Sequence, residues 1–309
     1  MKISVVSTLY QSEAFVEEFV RRVSQAAKGL TKDFEVILVD DGSPDGSLKE
    51  ALRVQKLFPQ VRVIELSRNF GHHKAMMTGL ENTKGDLVFL IDVDLEEPPE
   101  LLLPFHDEMK KGGWDVVYGV AKMRRGGILK RIGGKIAWDI IKAIWPIKVP
   151  RDHSTIRLMV QNYVRGLIQH KEHMTAIGGL WVITGFRQTG FLFDKASRDN
   201  SSYTFWKRME MLGESITSFS EKPLYGVFFL GLGMFMLSLF VATYLIIIKI
   251  LGSVLSGWIS VMVSVWGLSG LILLSIGLVG IYISRIFIET KNRPYVIIRN
   301  KYGFADRKK

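Results

Sequence analysis

The chain has 309 residues, 48% of them hydrophobic, and its 41 lysines and arginines against 30 aspartates and glutamates give a formal net charge of +11 at pH 7. This length allows a globular core plus further segments, and the positive charge favours an anionic partner such as a phosphorylated substrate, nucleic acid or an acidic membrane face. Because the chain has no cysteine, a disulfide framework and a thiolate zinc site are excluded.

The first part of the chain alternates predicted strands with predicted helices. The opening MKISVVSTLY lacks the pattern of a signal peptide and predicts a first strand. Further strands are predicted in FEVILVDDGS, VRVIELSRNFG and GDLVFLIDVD, and helical spacing occurs in EAFVEEFVRRVSQAAKGL, LKEALRVQKLF and HHKAMMTGLENT. This alternation is typical of βαβ units, so we expect an α/β fold with a mostly parallel sheet.

Two of these strands end in acidic pairs, Asp40 with Asp41 and Asp92 with Asp94. Open parallel sheets bind ligands outside the carboxyl ends of their strands. Carboxylates in a D-x-D pattern suit Mg²⁺ or Mn²⁺ held together with substrate phosphates, although a lone D-x-D also occurs by chance. Asp40 and Asp41 are equally consistent with a turn and a helix cap. Neither G-x-G-x-x-G after the first strand nor a P-loop sequence is present, which argues against those nucleotide sites.

Residues 121–157 combine many basic side chains with Trp138 and Trp145 on an amphipathic pattern. This combination predicts a segment in the membrane interface, where its cations would pair with lipid phosphates. A solvated basic face is the alternative. An RNA-binding surface is less consistent with the pattern, because the aromatic residues are not arranged as a stacking platform, and we expect no nucleic-acid partner.

Two uncharged runs, at 224–248 and 256–284, are each long enough to cross a hydrocarbon core of ~30 Å. Basic residues follow the second run, and the positive-inside bias therefore makes both termini cytoplasmic. We expect a catalytic domain over 1–222, a two-helix transmembrane hairpin over 223–285 and a basic cytoplasmic tail over 286–309. The alternative is a pair of buried core helices.

Several motifs occur together in one order: VDDGSPDGS, SRNFGHHKAMMTGL, IDVDLEEPPE, DHSTIRLM and GIYISRIFIETKNRPYVI. This series resembles the inverting family 2 glycosyltransferases, which have the GT-A (nucleotide-diphospho-sugar transferase) fold. Within that family it is similar to bacterial polyprenyl-phosphate glycosyltransferases of the dolichyl-phosphate mannose or glucose synthase type. The chain departs from the pattern at Thr8–Ser12, where the family has Pro-x-Tyr-Asn-Glu, and at Glu96, where it has Gln. The segment FDKASRDNSSYTF lacks the glycine of the family's corresponding loop.

The resemblance implies a metal-dependent, inverting hexosyltransferase that uses Mg²⁺ or Mn²⁺. The implied donor is a nucleotide sugar, with UDP-glucose as the first choice. The implied acceptor is an undecaprenyl- or dolichyl-type polyprenyl phosphate in the cytoplasmic leaflet of the inner (plasma) membrane, and the product would be a β-linked lipid-phosphate sugar for cell-wall or O-antigen modification. Relatives also imply a homo-oligomer, a tetramer. The glycine spacing of the second uncharged run is compatible with close helix packing.

The resemblance and the residue chemistry together assign roles by position. Asp94 is the stronger candidate for direct metal binding. The expected nucleotide-sugar contacts are Thr8, Tyr10, Glu13, Asp40, Asp41, Asn69, Lys74 and Asp92. The expected metal ligands are Asp92, Asp94 and Glu96. The expected catalytic residues are Asp92, Asp94, Arg124, Arg131 and Arg198. The expected contacts of the acceptor phosphate are Arg124, Arg131, Asp152, Arg157 and Arg198. His72 and His73 fit either phosphate contacts or a solvated helix start.

Two other classes of function stay open at this point. A polysaccharide- or glycolipid-synthesising transferase would use a hydroxyl acceptor, but a processive synthase would need more spans and a Q-x-x-R-W motif, and neither appears. A non-catalytic membrane scaffold would retain the fold without the chemistry. The intact pair Asp92 and Asp94 argues against that class.

Overall fold

The computed structural model describes residues 1–121, 153–170, 177–194, 222–251, 257–291 and 293–304. Four predicted site residues lie outside these ranges: Arg124, Arg131, Asp152 and Arg198. Most of the interfacial segment predicted at 121–157 also lies outside them. The chain divides into two compact units, and among the described residues the second unit comprises 222–251 and 257–291, while the first comprises the rest.

The described part of the first unit contains one eight-stranded sheet. Its strands are β1 Ile3–Leu9, β2 Phe34–Asp40, β3 Val61–Leu66, β4 Leu87–Leu90, β5 Val116–Ala121, β6 His153–Val160, β7 Gln188–Phe193 and β8 Ile298–Tyr302. The order across the sheet is β7-β5-β6-β4-β1-β2-β3-β8. Strands β4, β1, β2 and β3 are mutually parallel, β7 is parallel to β5, and β6 and β8 pair antiparallel with their neighbours. The prediction of an α/β fold with a mostly parallel sheet is confirmed.

Helices of the first unit pack beside this sheet. They are α1 Val16–Lys28, α2 Ser47–Leu57, α3 His72–Glu81, α4 Leu102–Gly112, α5 Gln161–Leu167 and α6 Ile177–Ile183, with a 3₁₀ turn at Pro99–Leu101. Helix α1 buries Phe19, Val20 and Val23 on one face, as its spacing of apolar residues predicts. Helix α4 ends where Gly113 takes a left-handed conformation, a common helix stop. The three helices predicted from the sequence are confirmed as α1, α2 and α3.

The core lies in the parallel half of the sheet. All seven residues of β1 and all seven of β2 are buried, which explains why these strands are almost continuously apolar. Phe89 on β4 meets Phe105 on α4 edge to face, with ring centroids 6.3 Å apart. Burying one such side chain contributes about 1.5–3 kcal/mol. This rigid layer holds the loops that follow the strands.

The last strand comes from the segment predicted as a basic tail. The first residues of the predicted tail, 286–290, are the end of a helix. Farther along the tail, β8 pairs antiparallel with β3, with Ile64 opposite Lys301. The Glu65 carboxylate on β3 accepts hydrogen bonds from Asn300 Nδ2 at 2.8 Å and from the Tyr302 hydroxyl at 2.9 Å. The chain that follows the apolar helices is therefore a structural part of the sheet. Strands β5 to β8 were not predicted from the sequence.

The second unit contains two long helices, α7 Lys222–Ile250 and α8 Trp258–Thr290, of 29 and 33 residues. The predicted uncharged runs are thus helical over 224–248 and 258–284. Large apolar side chains are exposed on them: Phe240 is 71% exposed and Leu273 is 70% exposed. Among the residues described, one stretch, Gly267–Thr290, is long and apolar enough to cross a membrane by length and composition. Two transmembrane helices are not confirmed by this finding, and the hairpin stays a prediction.

Candidate active site

The loops after β1, β2 and β4 leave the sheet at the same edge. The three strands are adjacent and parallel, with Leu9 opposite Asp40 and Val6 opposite Leu90. Because carboxyl ends of parallel strands meet at one edge, both acidic pairs named in the sequence lie there. Helix α3 begins at the same edge with His72. This edge is the candidate site.

Asp41 organises the start of α3. It is only 2% exposed, and its two carboxylate oxygens accept the amides of Phe70 at 2.7 Å and Gly71 at 2.9 Å. Its own amide donates to the Leu9 carbonyl at 3.0 Å. Burial raises the pKa of Asp41, and the two amides act in the opposite direction. Asp41 therefore holds the loop, and any contact with a nucleoside would use the remaining lone pairs of its carboxylate.

Asp40 is a strongly perturbed carboxylate at this edge. Burial raises its pKa to about 6, although the amides of Ser43 and Gly42 lower it. Its Oδ1 atom is buried and has no hydrogen-bond partner among the described residues. Buried polar atoms in folded proteins are normally paired, so an unpaired one at a strand end is typical of a ligand-binding position.

Glu13 closes the turn after β2. Its Oε2 atom accepts the Gly46 amide at 3.1 Å, and its own amide donates to Asp45 at 3.2 Å. Asp45 also accepts the hydroxyl groups of Ser43 and Ser47. Burial alone would raise the pKa of Asp45, but these hydrogen bonds lower it to about 2. The contacts of Glu13 are thus structural, and they do not support its predicted contact with the nucleotide sugar.

His72 lies between two of the predicted site residues. Its Nδ1 atom is 2.9 Å from the Thr8 hydroxyl at the end of β1. Its Nε2 atom is 3.4 Å from Asp92 Oδ1 in the loop after β4. The structure therefore brings Thr8 and Asp92 together through one imidazole.

The loop after β4 carries the D-x-D residues in a constrained conformation. Asp94 Oδ1 accepts the Glu96 amide at 3.1 Å, and Leu95 has φ of 61°, a strained value for a leucine. Glu97 is buried and accepts a hydrogen bond from Ser154 on β6. Strain of this kind is typical of functional loops and is maintained by the surrounding packing.

The predicted three-carboxylate metal site is not assembled in this structure. No group of three His, Asp or Glu side chains within the described residues is placed to hold a metal ion. Glu96 therefore does not complete a cluster with Asp92 and Asp94. The backbone amide of Glu96 donates a hydrogen bond to the Asp94 carboxylate, so a turn of the backbone links these two residues.

Three further predicted contacts lie around the site. Tyr10, next to the end of β1, is 47% exposed, and Asn69 is exposed in the loop before α3. Lys74 on the first turn of α3 lies with its Nζ 5.4 Å from the ring centroid of Tyr295. A cation over an aromatic ring is attracted by about 0.5–1 kcal/mol at an exposed site.

Arg157, predicted to bind the acceptor phosphate, is in a different setting. It is 1% exposed, and its guanidinium carbon lies 3.1 Å from the centroid of the Trp181 ring. It donates to the carbonyls of Thr155 at 3.2 Å and Ser154 at 3.3 Å. Burial lowers its pKa to about 10. This enclosed position does not fit the predicted contact with a phosphate arriving from outside.

A family model described as glycosyl transferase family 2 matches residues 4–170, more than half of the chain. The chain belongs to glycosyltransferase family 2. The matched region contains the three loops at the carboxyl edge and the start of α3. The resemblance stated from the motifs is confirmed, and the edge described above is the candidate active site of a family 2 glycosyltransferase.

Relatives of this family 2 chain match it over nearly its full length. It is 50% identical to a glycosyltransferase of Mycobacterium tuberculosis, with 98% of this chain and 89% of that protein covered. It is 33% identical to an uncharacterized glycosyltransferase of Synechocystis, with 98% and 96% covered. It is 31% identical to the bactoprenol glucosyl transferase of Shigella phage SfV, with 97% and 99% covered. The similarity therefore extends beyond the matched domain into the apolar helices and β8.

Several features of this family 2 site were missed in the sequence. The link from His72 to Thr8 and Asp92 joins three separate segments, so no local pattern predicts it. Glycine at position 42 was a detectable signal. It has φ of +62°, and a Cβ there would lie 2.5 Å from the backbone of Arg68 and Asn69. A glycine directly after an acidic strand end predicts such a close turn.

Proposed function

We propose that the protein transfers a sugar from a nucleotide sugar to the phosphate of a polyprenyl phosphate, with inversion at the anomeric carbon. UDP-glucose is the proposed donor, and an undecaprenyl-type phosphate in the cytoplasmic leaflet is the proposed acceptor. The single observation that carries the proposal is the convergence of Thr8, His72 and Asp92 at the carboxyl edge of the sheet.

The relatives support the choice of acceptor. One of them is named a bactoprenol glucosyl transferase, and it aligns with 97% of this chain, including the apolar helices. Bactoprenol is a polyprenol, and glucose is the sugar that the name states. A likeness that covers the helices as well as the catalytic domain favours a lipid-linked acceptor over a soluble one.

The acidic edge is suited to a divalent ion in the presence of the donor. Asp92 and Asp94 would hold Mg²⁺ or Mn²⁺, since hard carboxylate oxygens are the ligands these ions prefer. Two carboxylates are sufficient when diphosphate oxygens and water complete the coordination. When bound, the ion would neutralise the charge of the diphosphate leaving group.

The remaining chemistry needs positioning more than proton transfer. An oxygen of the acceptor phosphate forms a bond to the anomeric carbon while the bond between that carbon and the diphosphate breaks. The nucleoside diphosphate leaves on the opposite face, so an α-linked donor gives a β-linked product. A phosphate monoester is already anionic at pH 7, with a second pKa of about 6, so a strong general base is not required. Arg124, Arg131, Asp152 and Arg198 stay the proposed acceptor contacts.

Helices α7 and α8 are proposed as a transmembrane hairpin, with the catalytic unit and β8 on the cytoplasmic side. Their exposed apolar side chains would be covered by lipid acyl chains. This arrangement keeps the catalytic unit at the membrane surface, where the phosphate group of a polyprenyl phosphate lies. The proposed location is the inner (plasma) membrane.

The test is a transfer assay with the full chain in liposomes that contain undecaprenyl phosphate and Mg²⁺. A panel of UDP-, GDP- and dTDP-sugars is supplied one at a time, and lipid products are identified by mass. We expect one hexose added to undecaprenyl phosphate from UDP-glucose, with release of UDP. Liposomes containing undecaprenol, which lacks the phosphate, serve as the matched control. Equal transfer to undecaprenol would contradict the proposal and favour a hydroxyl acceptor.

A further inference from the structure

The His72 side chain reaches both the end of β1 and the D-x-D loop. Its Nδ1 atom is 2.9 Å from Thr8 Oγ1, and its Nε2 atom is 3.4 Å from Asp92 Oδ1. Thr8 is buried, whereas the imidazole is 46% exposed and the Asp92 side chain is 27% exposed. The three groups thus form a chain of polar contacts that leads from the core to the accessible part of the site.

The chemistry of the two partners favours one tautomer of the neutral imidazole. Nε2 lies 3.4 Å from Asp92 Oδ1, and because an ionised carboxylate only accepts hydrogen bonds, donation across this contact requires the hydrogen on Nε2. In the neutral imidazole with its hydrogen on Nε2, Nδ1 is the acceptor, and the Thr8 hydroxyl, which can both donate and accept, is the matching donor at 2.9 Å. Thr8 is fixed within a strand that is buried along its whole length. The orientation of the imidazole is accordingly set by the core, and the imidazole in turn orients the carboxylate.

The backbone reinforces this arrangement. His72 is the first residue of α3, and the preceding loop is held by the bonds from the Phe70 and Gly71 amides to Asp41. The imidazole is therefore fixed at its ring by Thr8 and at its backbone by Asp41. A group that is fixed at two points loses little additional freedom when it contacts a third residue.

We propose that His72 is a positioning residue that sets the orientation of Asp92 for the metal-bound diphosphate of the donor. The inference rests on the proposed function and deepens it. Partners of a metal-binding side chain typically change metal affinity by about 10- to 100-fold when they are removed. The contact through Nε2 is the one that matters for the donor complex, and the contact through Nδ1 acts by holding the ring.

Two conservative variants separate the two nitrogens. The side-chain amide of His72→Asn reaches roughly the position of Nδ1, so it keeps the contact with Thr8 and loses the one with Asp92. The longer His72→Gln reaches roughly the position of Nε2 and keeps a donor for Asp92. His72→Ala removes both contacts. His170→Gln, three residues after the end of α5, is the matched control because it makes the same change away from the carboxyl edge.

The experiment is calorimetric titration of the detergent-solubilised full chain with UDP, with and without Mn²⁺. We expect His72→Asn and His72→Ala to weaken binding in the presence of Mn²⁺ by about 10-fold or more. His72→Gln is expected to stay within about 3-fold of the wild type, as is His170→Gln. Without Mn²⁺, the four variants should bind UDP as the wild type does. A general loss of folding would instead weaken UDP binding in both conditions, and melting temperatures check this directly.

The outcomes separate this inference from the proposed function. If the wild type binds UDP with Mn²⁺ and His72→Ala binds equally well, the inference is wrong and the function stands. If His72→Asn and His72→Gln lose affinity equally, the assignment of the positioning contact to Nε2 is wrong. If the wild type binds no nucleoside diphosphate among UDP, GDP and dTDP, the proposed function itself fails.

Discussion

The Asp41 carboxylate accepts the backbone amide of Gly71 at 2.9 Å, and this bond joins the end of β2 to the residue that precedes α3. The second oxygen accepts the Phe70 amide at 2.7 Å. Asp41, predicted from the sequence as a nucleotide-sugar contact, is thus also the residue that holds the backbone at the start of α3.

Replacing Asp41 by asparagine tests this dual role. The amide can accept only through its oxygen, and its NH₂ group would face a second backbone N–H. We expect a loss of stability of about 1–3 kcal/mol, because a buried donor is left unpaired. Thermal unfolding of the full chain in detergent provides the measurement, with the exposed Asp33→Asn as control. An unchanged melting temperature for Asp41→Asn would show that these bonds contribute nothing.

Two glycines beside this contact separate steric clash from backbone strain. Gly42 and Gly71 both have positive φ, +62° and +100°. A Cβ at Gly42 would lie 2.5 Å from backbone atoms of Arg68 and Asn69, whereas a Cβ at Gly71 meets nothing within 4 Å. We expect Gly71→Ala to cost about 1–2 kcal/mol from strain alone, and Gly42→Ala to cost more. Denaturant unfolding of both variants measures the difference. Equal costs would mean that the turn relaxes around the added methyl group.

The raised pKa of Asp40 predicts a pH-dependent stability. Its folded pKa is about 6 against an ordinary value of 3.8, so the folded state binds the proton more tightly. The unfolding free energy therefore falls as pH rises from 4 to 6, by up to about 3 kcal/mol. Asp40→Asn lacks this cost, and we expect it to melt higher than the wild type at pH 7.5 and at the same temperature near pH 4. A difference that is independent of pH would contradict the assignment.

The bonds between Glu65 and β8 predict the opposite pH dependence. Burial alone would raise the pKa of Glu65, but hydrogen bonds from Asn300, Tyr302 and Arg299 lower it below its usual value. The stability it contributes is present above about pH 4.5 and is lost as pH falls through the lowered pKa. We expect Glu65→Gln to lose about 1.5–3 kcal/mol at pH 7, and Tyr302→Phe about 1 kcal/mol.

Melting curves at pH 7 and pH 4 measure both changes at Glu65 and β8. Glu108→Gln on α4 is the control, because the same substitution there leaves the sheet edge untouched. If Glu65→Gln were as stable as the wild type at pH 7, the β8 contacts would not stabilise the sheet.

The sequence was informative where a pattern is local. Continuous apolar runs with an acidic end predict the buried strands β2 and β4 and the carboxylates Asp41 and Asp92 at one edge. Helix α1 follows from its spacing of apolar residues in the same way. These elements depend on residues within a few positions of one another, so they can be predicted from the sequence alone.

The remaining features depend on residues far apart in the chain. Strand β8 has the polar sequence IRNKY. It is held in the sheet because the Glu65 carboxylate accepts hydrogen bonds from its side chains, including that of Tyr302, which lies 237 positions later in the chain. Arg157 is buried because Trp181 covers its guanidinium, which no property of the DHSTIRLM segment indicates. Contacts of this range are set by tertiary packing, which a single sequence does not display.

The central claim is that Asp94 and Asp92 hold the donor for transfer to a lipid phosphate, and transfer by the Asp94→Asn variant tests it most directly. The full chain is reconstituted with undecaprenyl phosphate, Mg²⁺ and UDP-glucose beside Asp107→Asn, whose side chain on α4 is 83% exposed. We predict that Asp94→Asn loses at least about 100-fold in the rate of glycolipid formation, since an amide is a far weaker metal ligand and carries no charge. Asp107→Asn should transfer at the wild-type rate. Full transfer by Asp94→Asn would contradict the account.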